Sequence, residues 1–227
     1  MCIRAASKGI VEGAEEFHRR FYDGVIFHGP SLHFHKRALD TRSDSDLDQH
    51  LEYVYAMLVS WGMHRMGSGG PKMADFKIFR DSMYAVKEEI TALQQIKSLP
   101  LGIDDWTILE KIFGRIDVMK TYSYLVAHSK VLAHTIPDLI SPIDREYTLT
   151  YLTGSKNFTN GIGAQWNLFK SIHTDFISEV AASESFQESA AKWLGNDQYP
   201  WDTSIPKIID NLVIGCASSK GITAQQP

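Results

Sequence analysis

Leu47-Asp48-Gln49-His50-Leu51-Glu52-Tyr53-Val54-Tyr55-Ala56-Met57-Leu58-Val59 is the stretch that decides the fold class. Its apolar residues Leu47, Leu51, Val54, Tyr55, Leu58 and Val59 recur at i, i+4, i+7, i+8, i+11 and i+12. That spacing is one face of a helix and not the alternation of a strand. Asp44 or Asp46 stands where an N-cap accepts a first-turn amide, and Gly67 with Gly69-Gly70-Pro71 supplies the stop. The rhythm returns in Phe76, Phe79, Met83, Val86, Ile90 and Leu93, ending near Pro100. It returns again in Trp166, Phe169, Ile172, Phe176, Ile177 and Val180, and in Ile205, Ile208, Ile209, Leu212, Val213 and Cys216, where Ser204 reads as N-cap and Pro206 as N1. Shorter helices fit residues 12–22, 105–112, 118–127, 129–135 and 144–152, whereas residues 25–39, broken by Gly29 and Pro30, read as irregular. No segment alternates with turn signals at hairpin spacing. The expected architecture is all-α: a globular domain over residues 1–217, or two closely packed helical lobes, with a flexible tail at 218–227.

Composition supports this and narrows the function. The chain has 227 residues, 44% of them hydrophobic, and a mean hydropathy of −0.19, enough apolar surface for a core and too much for a disordered chain. No apolar run approaches the ~20 residues that span a bilayer, so no membrane partner is expected. Met1-Cys2-Ile3-Arg4 lacks the basic, apolar, small-residue order of a secretion signal, and the expectation is a soluble cytoplasmic protein. Cys2 and Cys216 lie at opposite ends with no Cys-x-x-Cys spacing, which argues against a disulfide framework or zinc finger. The net charge of −4 opposes simple coating of nucleic acid. The acidity is uneven, however. Residues 111–156 carry Lys111, Arg115, Lys120, Lys130, Arg145 and Lys156 against Asp117, Asp138, Asp144 and Glu146, so an anionic partner meets least repulsion there.

That segment also holds the residues with the clearest chemical potential. A short helix after His128-Ser129 is expected to present Lys130 in its first turn, where the positive end of the helix dipole opposes an ammonium group and favours the neutral, nucleophilic amine. A Pro-bounded apolar loop follows, and Asp144 opens the next helix beside Arg145. The bland alternative is that Asp144 caps that helix through the amide of Glu146 or Tyr147, and that Lys130 pairs with Asp144 only to pin two helices. The second reading makes the chain a non-catalytic all-α interaction or structural protein.

Ser129-Lys130-Val131-Leu132 followed by Ser141-Pro142-Ile143-Asp144-Arg145 resembles the helix-hairpin-helix DNA glycosylase superfamily. Its bifunctional members place a Lys after a Gly-rich hairpin and an Asp at the start of a later helix. The resemblance covers about 25 residues. It implies an all-α fold, damaged DNA as partner, Lys130 as the Schiff-base nucleophile and Asp144 as its carboxylate partner. Ser129 and Arg145 are then candidate contacts to DNA. Val126-Ala127-His128-Ser129 stands where the family's Leu-Pro-Gly-x-Gly hairpin would offer backbone amides to a phosphate.

Other constellations lead to different chemistry. Trp61 and Arg65, in the turn after the first long helix, are candidates to stack on a base or sugar, although core packing explains Trp61 equally. The glycines that follow are not succeeded by Lys-Ser/Thr, so a P-loop is excluded. No cofactor motif is present. His33-Phe34-His35, read as extended chain, places two imidazoles on one side with His28 five residues earlier, a candidate metal-ligand set.

Overall fold

The computed structural model describes residues 3–24, 29–43, 46–67 and 70–218. The fold is all-α. Cys2, Asp44 as a cap and residues 219–227 of the expected tail lie outside the described residues.

The first half is built from α1 (Ile3–Glu12), α2 (Ala14–Gly24), α3 (Pro30–Asp40) and α4 (Leu47–Ser60). Asp46 caps α4, its side chain accepting the Gln49 amide at 3.2 Å. The stop differs from the expected Gly67. Gly62, at φ +74°, takes the left-handed position, with Gly62 N–H donating to the Val59 carbonyl and Met63 N–H to that of Leu58, a Schellman ending. The segment read as irregular is also different, because α3 starts within it. Gly29, at φ +64°, turns the chain, and Pro30, whose missing N–H costs nothing at a helix start, begins the first turn.

Next come α5 (Phe76–Tyr84) and α6 (Lys87–Gln94), the expected single helix broken at Ala85 and Val86, then α7 (Ile103–Arg115) and α8 (Tyr124–Thr135). The only strand pairing among the described residues is the two-residue ribbon of Met66–Gly67 against Gly70–Pro71, plus an isolated bridge between Met73 and Met119. Two helices were expected over 118–135, but one forms, starting at Tyr124. From Leu125 to Thr135 every residue of α8 is buried. A helix enclosed on all sides needs no apolar stripe, and so leaves little periodicity to read. It packs against α3, α4 and α10 as the central element.

The chain continues through a π-helical turn, Arg145–Leu149, into α9 (Thr150–Thr153). α10 (Ile162–Ile172), a second π-helical turn at His173–Ile177 and α11 (Ser178–Ala181) form one run, as its apolar spacing predicts. α12 (Glu184–Trp193) and α13 (Ile205–Ser218) complete the fold. Ser204 caps α13 through the Lys207 amide at 3.2 Å, which puts Pro206 at N2, one place later than expected. One continuous hydrophobic cluster runs through these elements. No helix among the described residues is long and apolar enough to cross a membrane.

Helix α13 lies directly against the backbone of α2 at Gly215. A Cβ on Gly215 would stand 2.0 Å from the Phe17 carbonyl oxygen and 3.1 Å from the Phe21 nitrogen, both backbone atoms that cannot rotate aside. Gly215→Ala is therefore expected to force the two helices apart and to cost about 2 kcal/mol. For a chain of this size that is a fall in Tm of roughly 4–8 °C. An unchanged thermal melt would contradict the packing.

Candidate functional site

The site begins with a loop that has no partner strand. Residues 136–144 follow α8 and are almost wholly buried, so each backbone N–H needs an acceptor. Thr135 ends α8 because Pro137 disfavours helical geometry at Ile136, which sits at φ −133° and ψ 61°. Further on, side chains take over from the missing ladder. Ser141 N–H donates to His173 Nε2 at 3.1 Å, Pro142 has no N–H to place, and Ile143 N–H donates to Ser129 Oγ at 2.9 Å. Asp144 N–H donates to Thr148 Oγ1 at 3.3 Å. Because Ser129 holds Ile143, the next residue on each element is brought together: Lys130 Nζ lies 3.3 Å from Asp144 Oδ2.

Asp144 uses both oxygens. Oδ1 accepts the Glu146 amide at 2.8 Å, the N-cap bond expected from sequence, and Oδ2 faces the amine. The turn it caps is π-helical, Leu149 N–H reaching back five residues to the Asp144 carbonyl at 3.0 Å. Such turns are rare and concentrate at functional sites. The Lys130 side chain is 8% exposed, that of Asp144 33%. The face of Trp61 lies 5.2 Å from Nζ, within cation–π range. One expectation is corrected here. Lys130 is the seventh residue of α8, not in its first turn, so the helix dipole does not act on its amine as anticipated.

A second amine lies in the same core. Lys207 Nζ donates to Asp210 Oδ2 at 2.7 Å and to Asn211 Oδ1, and its ammonium lies 5.5 Å from the ring centre of Trp201. Asn211 Nδ2 donates to Asp202 Oδ1 at 2.7 Å, and Asp202 Oδ2 meets His18 Nε2 at 2.7 Å. Burial pushes the Asp210 carboxyl up from its ordinary range; Lys207 opposes that rise, and both Asp144 and Lys130 act on it electrostatically. The rings of Trp61 and Trp201 are 6.5 Å apart, so each amine has an indole beside it and the two indoles adjoin. Trp201 Nε1 is buried without a hydrogen-bond partner.

Two buried imidazoles connect α8 to α3. The Lys130 carbonyl can only accept, so His134 Nδ1 donates to it at 2.7 Å. His134 Nε2 must then accept from His35 Nδ1 at 2.8 Å, which leaves His35 Nε2 to accept from Thr203 Oγ1 at 3.2 Å. This relay requires both rings to be neutral.

The residues expected to touch DNA separate into two groups. Ser129 is fully buried, which corrects its assignment as a nucleic-acid contact: it clips the loop to α8. Its neighbours Val126, Ala127 and His128 are helical too, so their amides belong to α8 and not to a hairpin. Trp61 is half-buried over Lys130, whereas Arg65 is exposed on the turn beyond α4. Arg145 is exposed beside Asp144, donating to Ser123 Oγ at 3.2 Å and stacking over Phe158. The metal-ligand geometry is corrected as well. His33 and His35 lie on helix α3, not on extended chain, and two residues apart they face different ways, His33 exposed and His35 buried. His28 lies outside the described residues, and among those described no group of three His, Cys, Asp or Glu is placed to hold a metal ion.

Lys207, Asp210 and Asn211 are weakly marked in the sequence. The available signal was a polar stripe at i, i+3 and i+4 inside an otherwise apolar helix, following Trp201 and Asp202. Comparison with protein-family models, curated proteins and solved structures found no match to this chain.

The buried imidazoles set a pH dependence. Burial pushes His128 and His134 down to about 3 and His173 down to about 4, and holds His35 well below its ordinary value. An unfolded histidine titrates near ~6.5. Between that pH and the folded values, the unfolded chain binds protons that the folded chain refuses. Their stabilising contribution is therefore complete above about pH 6.5 and is lost as pH falls towards 3–4, at up to ~1.4 kcal/mol per pH unit for each ring. Asp210, with its raised pKa, works in the opposite direction, one group against four. Tm is expected to fall steadily between pH 7 and 4.5 and less steeply in His173→Gln; a flat profile over that range would contradict neutral burial.

Proposed function

We propose that Lys130 and Asp144 form a nucleophilic-amine site of the DNA glycosylase/AP-lyase kind, acting on damaged DNA. The observation that supports this most is their convergence: residues 14 apart in sequence, on separate elements, bring Nζ to 3.3 Å from Oδ2. The amine and carboxylate have complementary roles. Asp144 accepts a proton from Lys130, and the free amine adds to the C1′ aldehyde of an abasic sugar. As the nitrogen passes its proton to the former carbonyl oxygen, a carbinolamine results. Asp144 then returns its proton to that hydroxyl, which leaves as water, and the resulting iminium cation is held opposite the Asp144 carboxylate. Trp61 offers a ring face to the sugar or base, and Arg145 offers charge to a phosphate.

Borohydride trapping tests the reading. With DNA carrying abasic, uracil or oxidised-purine sites, the wild-type chain is expected to give a covalent adduct that Lys130→Ala abolishes. Asp144→Asn is expected to slow its formation ~100-fold or more, the range of a lost general base. No adduct from wild type with any of these substrates would overturn it.

A second reading, a non-catalytic all-α interaction or structural protein, is favoured by the 8% exposure of the Lys130 side chain and by the helical state of residues 126–129. Under it, Asp144→Ala costs several kcal/mol, because the lost cap is joined by a buried Lys130 ammonium left without its carboxylate, and no DNA forms an adduct.

A further inference from the structure

Two ammonium groups in this core are covered to the same extent, and what covers them differs. The side chains of Lys130 and Lys207 are each 8% exposed, and each has an indole close by, the ring centre of Trp61 at 5.2 Å and that of Trp201 at 5.5 Å. Around Lys207 the whole shell is buried: Trp201, Asp210, Asn211 and, on α2, Phe21, whose ring centre lies 5.7 Å from the ammonium. Around Lys130 the shell itself meets solvent. Trp61 is only half-buried, and the Asp144 side chain is 33% exposed. Moving one side chain uncovers Lys130, whereas uncovering Lys207 requires α2 and α13 to loosen.

The place of Trp61 in the chain suits it to such a movement. It is the C-cap of α4, and its N–H is the last of that helix to reach back four residues, to the Met57 carbonyl at 3.0 Å. Gly62 follows in the left-handed conformation, at φ +74°. The indole therefore stands at a helix end, where local opening costs least. Among the described residues its Nε1 has no hydrogen-bond partner, so rotation of the ring breaks no hydrogen bond to them. The ring is held by the ammonium against its face and by the rings of His134, His35 and Trp201, centred 5.4, 6.3 and 6.5 Å away.

We propose that Trp61 is the lid of the Lys130 amine: the structure shows the closed site, and it opens to an aldehyde by rotation of the indole away from Nζ. The size of the aldehyde then decides how far the lid must move. The proposal deepens the amine reading of Lys130 and rests on it for the use of the opening; the opening itself is measured without DNA, so the two fail separately.

The test labels the full-length chain with an aldehyde and cyanoborohydride at one fixed pH and follows each lysine by peptide mass spectrometry. The amine condenses with the aldehyde, losing water, and hydride from cyanoborohydride reduces the imine to a secondary amine. Formaldehyde is the small probe, benzaldehyde the bulky one, and Lys207 the internal control. Trp61→Ala is expected to raise the rate at Lys130 roughly tenfold or more with benzaldehyde and less with formaldehyde, leaving Lys207 unchanged. Trp61→Phe, which keeps a ring over the ammonium, is expected to stay close to wild type. An unchanged rate at Lys130 in Trp61→Ala overturns the proposal. So does an equal rise at Lys130 and Lys207, which is general loosening. An equal rise at Lys130 with both aldehydes overturns it too, because that reports an altered charge on the amine and not a wider opening. The wild-type chain supplies a test that needs no variant. At urea concentrations below the unfolding midpoint, Lys130 labelling is expected to stay flat, because rotating one side chain exposes little surface, while Lys207 labelling climbs with the slope of global unfolding. Parallel slopes for the two lysines overturn the lid even if Trp61→Ala does not fold. Lid behaviour with no borohydride-trapped adduct on any damaged DNA upholds the lid and overturns the DNA reading instead.

Discussion

An ammonium group cannot be buried in a protein core without a partner, and the described residues of this chain bury two, Lys130 and Lys207. The penalty for desolvating an unpaired charge is several kcal/mol, so each amine must be met by a carboxylate with its remaining protons engaged. Lys130 is met by Asp144 and an indole face, Lys207 by Asp210, Asn211 and another indole face. Much of the surrounding structure follows from this requirement. Asp144 reaches Lys130 only because the loop before it is fastened to α8 by Ser129 and to the second π-helical turn by His173. Asp210 and Asn211 reach Lys207 because they lie three and four residues further along the same helix. Asn211 in turn ties the cluster to Asp202 and His18.

The loop is unusual in the way its backbone is satisfied. A buried segment ordinarily borrows a strand or helix for its hydrogen bonds. Here a serine and a neutral histidine take the amides on either side of Pro142, whose own lack of an N–H removes the third demand. His173 can accept from Ser141 only while its Nε2 is unprotonated, since Nδ1 already donates to the Phe169 carbonyl at 2.8 Å. Loop position and histidine protonation are therefore linked, and acid that charges His173 acts on the placement of Asp144 as well as on stability.

Sequence reading recovered the parts of this architecture that are local. The amphipathic stripes of α4, of the run from α10 to α11 and of α13 stand out because one face of each is apolar and regularly spaced. Asp144 as a cap is legible from its position before a helical run; that it faces Lys130 is one alternative the Pro-bounded loop leaves open, and only the packing brings the two side chains together. The failures have physical causes. Gly29 and Pro30 look like a disruption in the sequence, yet together they start α3, because Pro at N1 is a beginning and not a break. The sequence of α8 suggests two helices because a helix buried on every side shows no stripe. Trp61 precedes the glycine that ends α4, but Gly62 and Gly67 both fit that role until the hydrogen bonds are seen. Lys207 and Asp210 stayed hidden for a different reason: their importance lies in what stands across from them, and that is fixed only by tertiary packing.

The central claim is that Lys130 and Asp144 act as one unit, and a double-mutant cycle on stability measures this most directly. Lys130→Met, Asp144→Asn and the combined variant, compared by denaturant unfolding with wild type, should show a coupling energy of about 2 kcal/mol, within the range for contacting groups in one network. A coupling near zero, each substitution costing the same whether or not the other is present, would mean that amine and carboxylate merely lie close together, and would contradict the account.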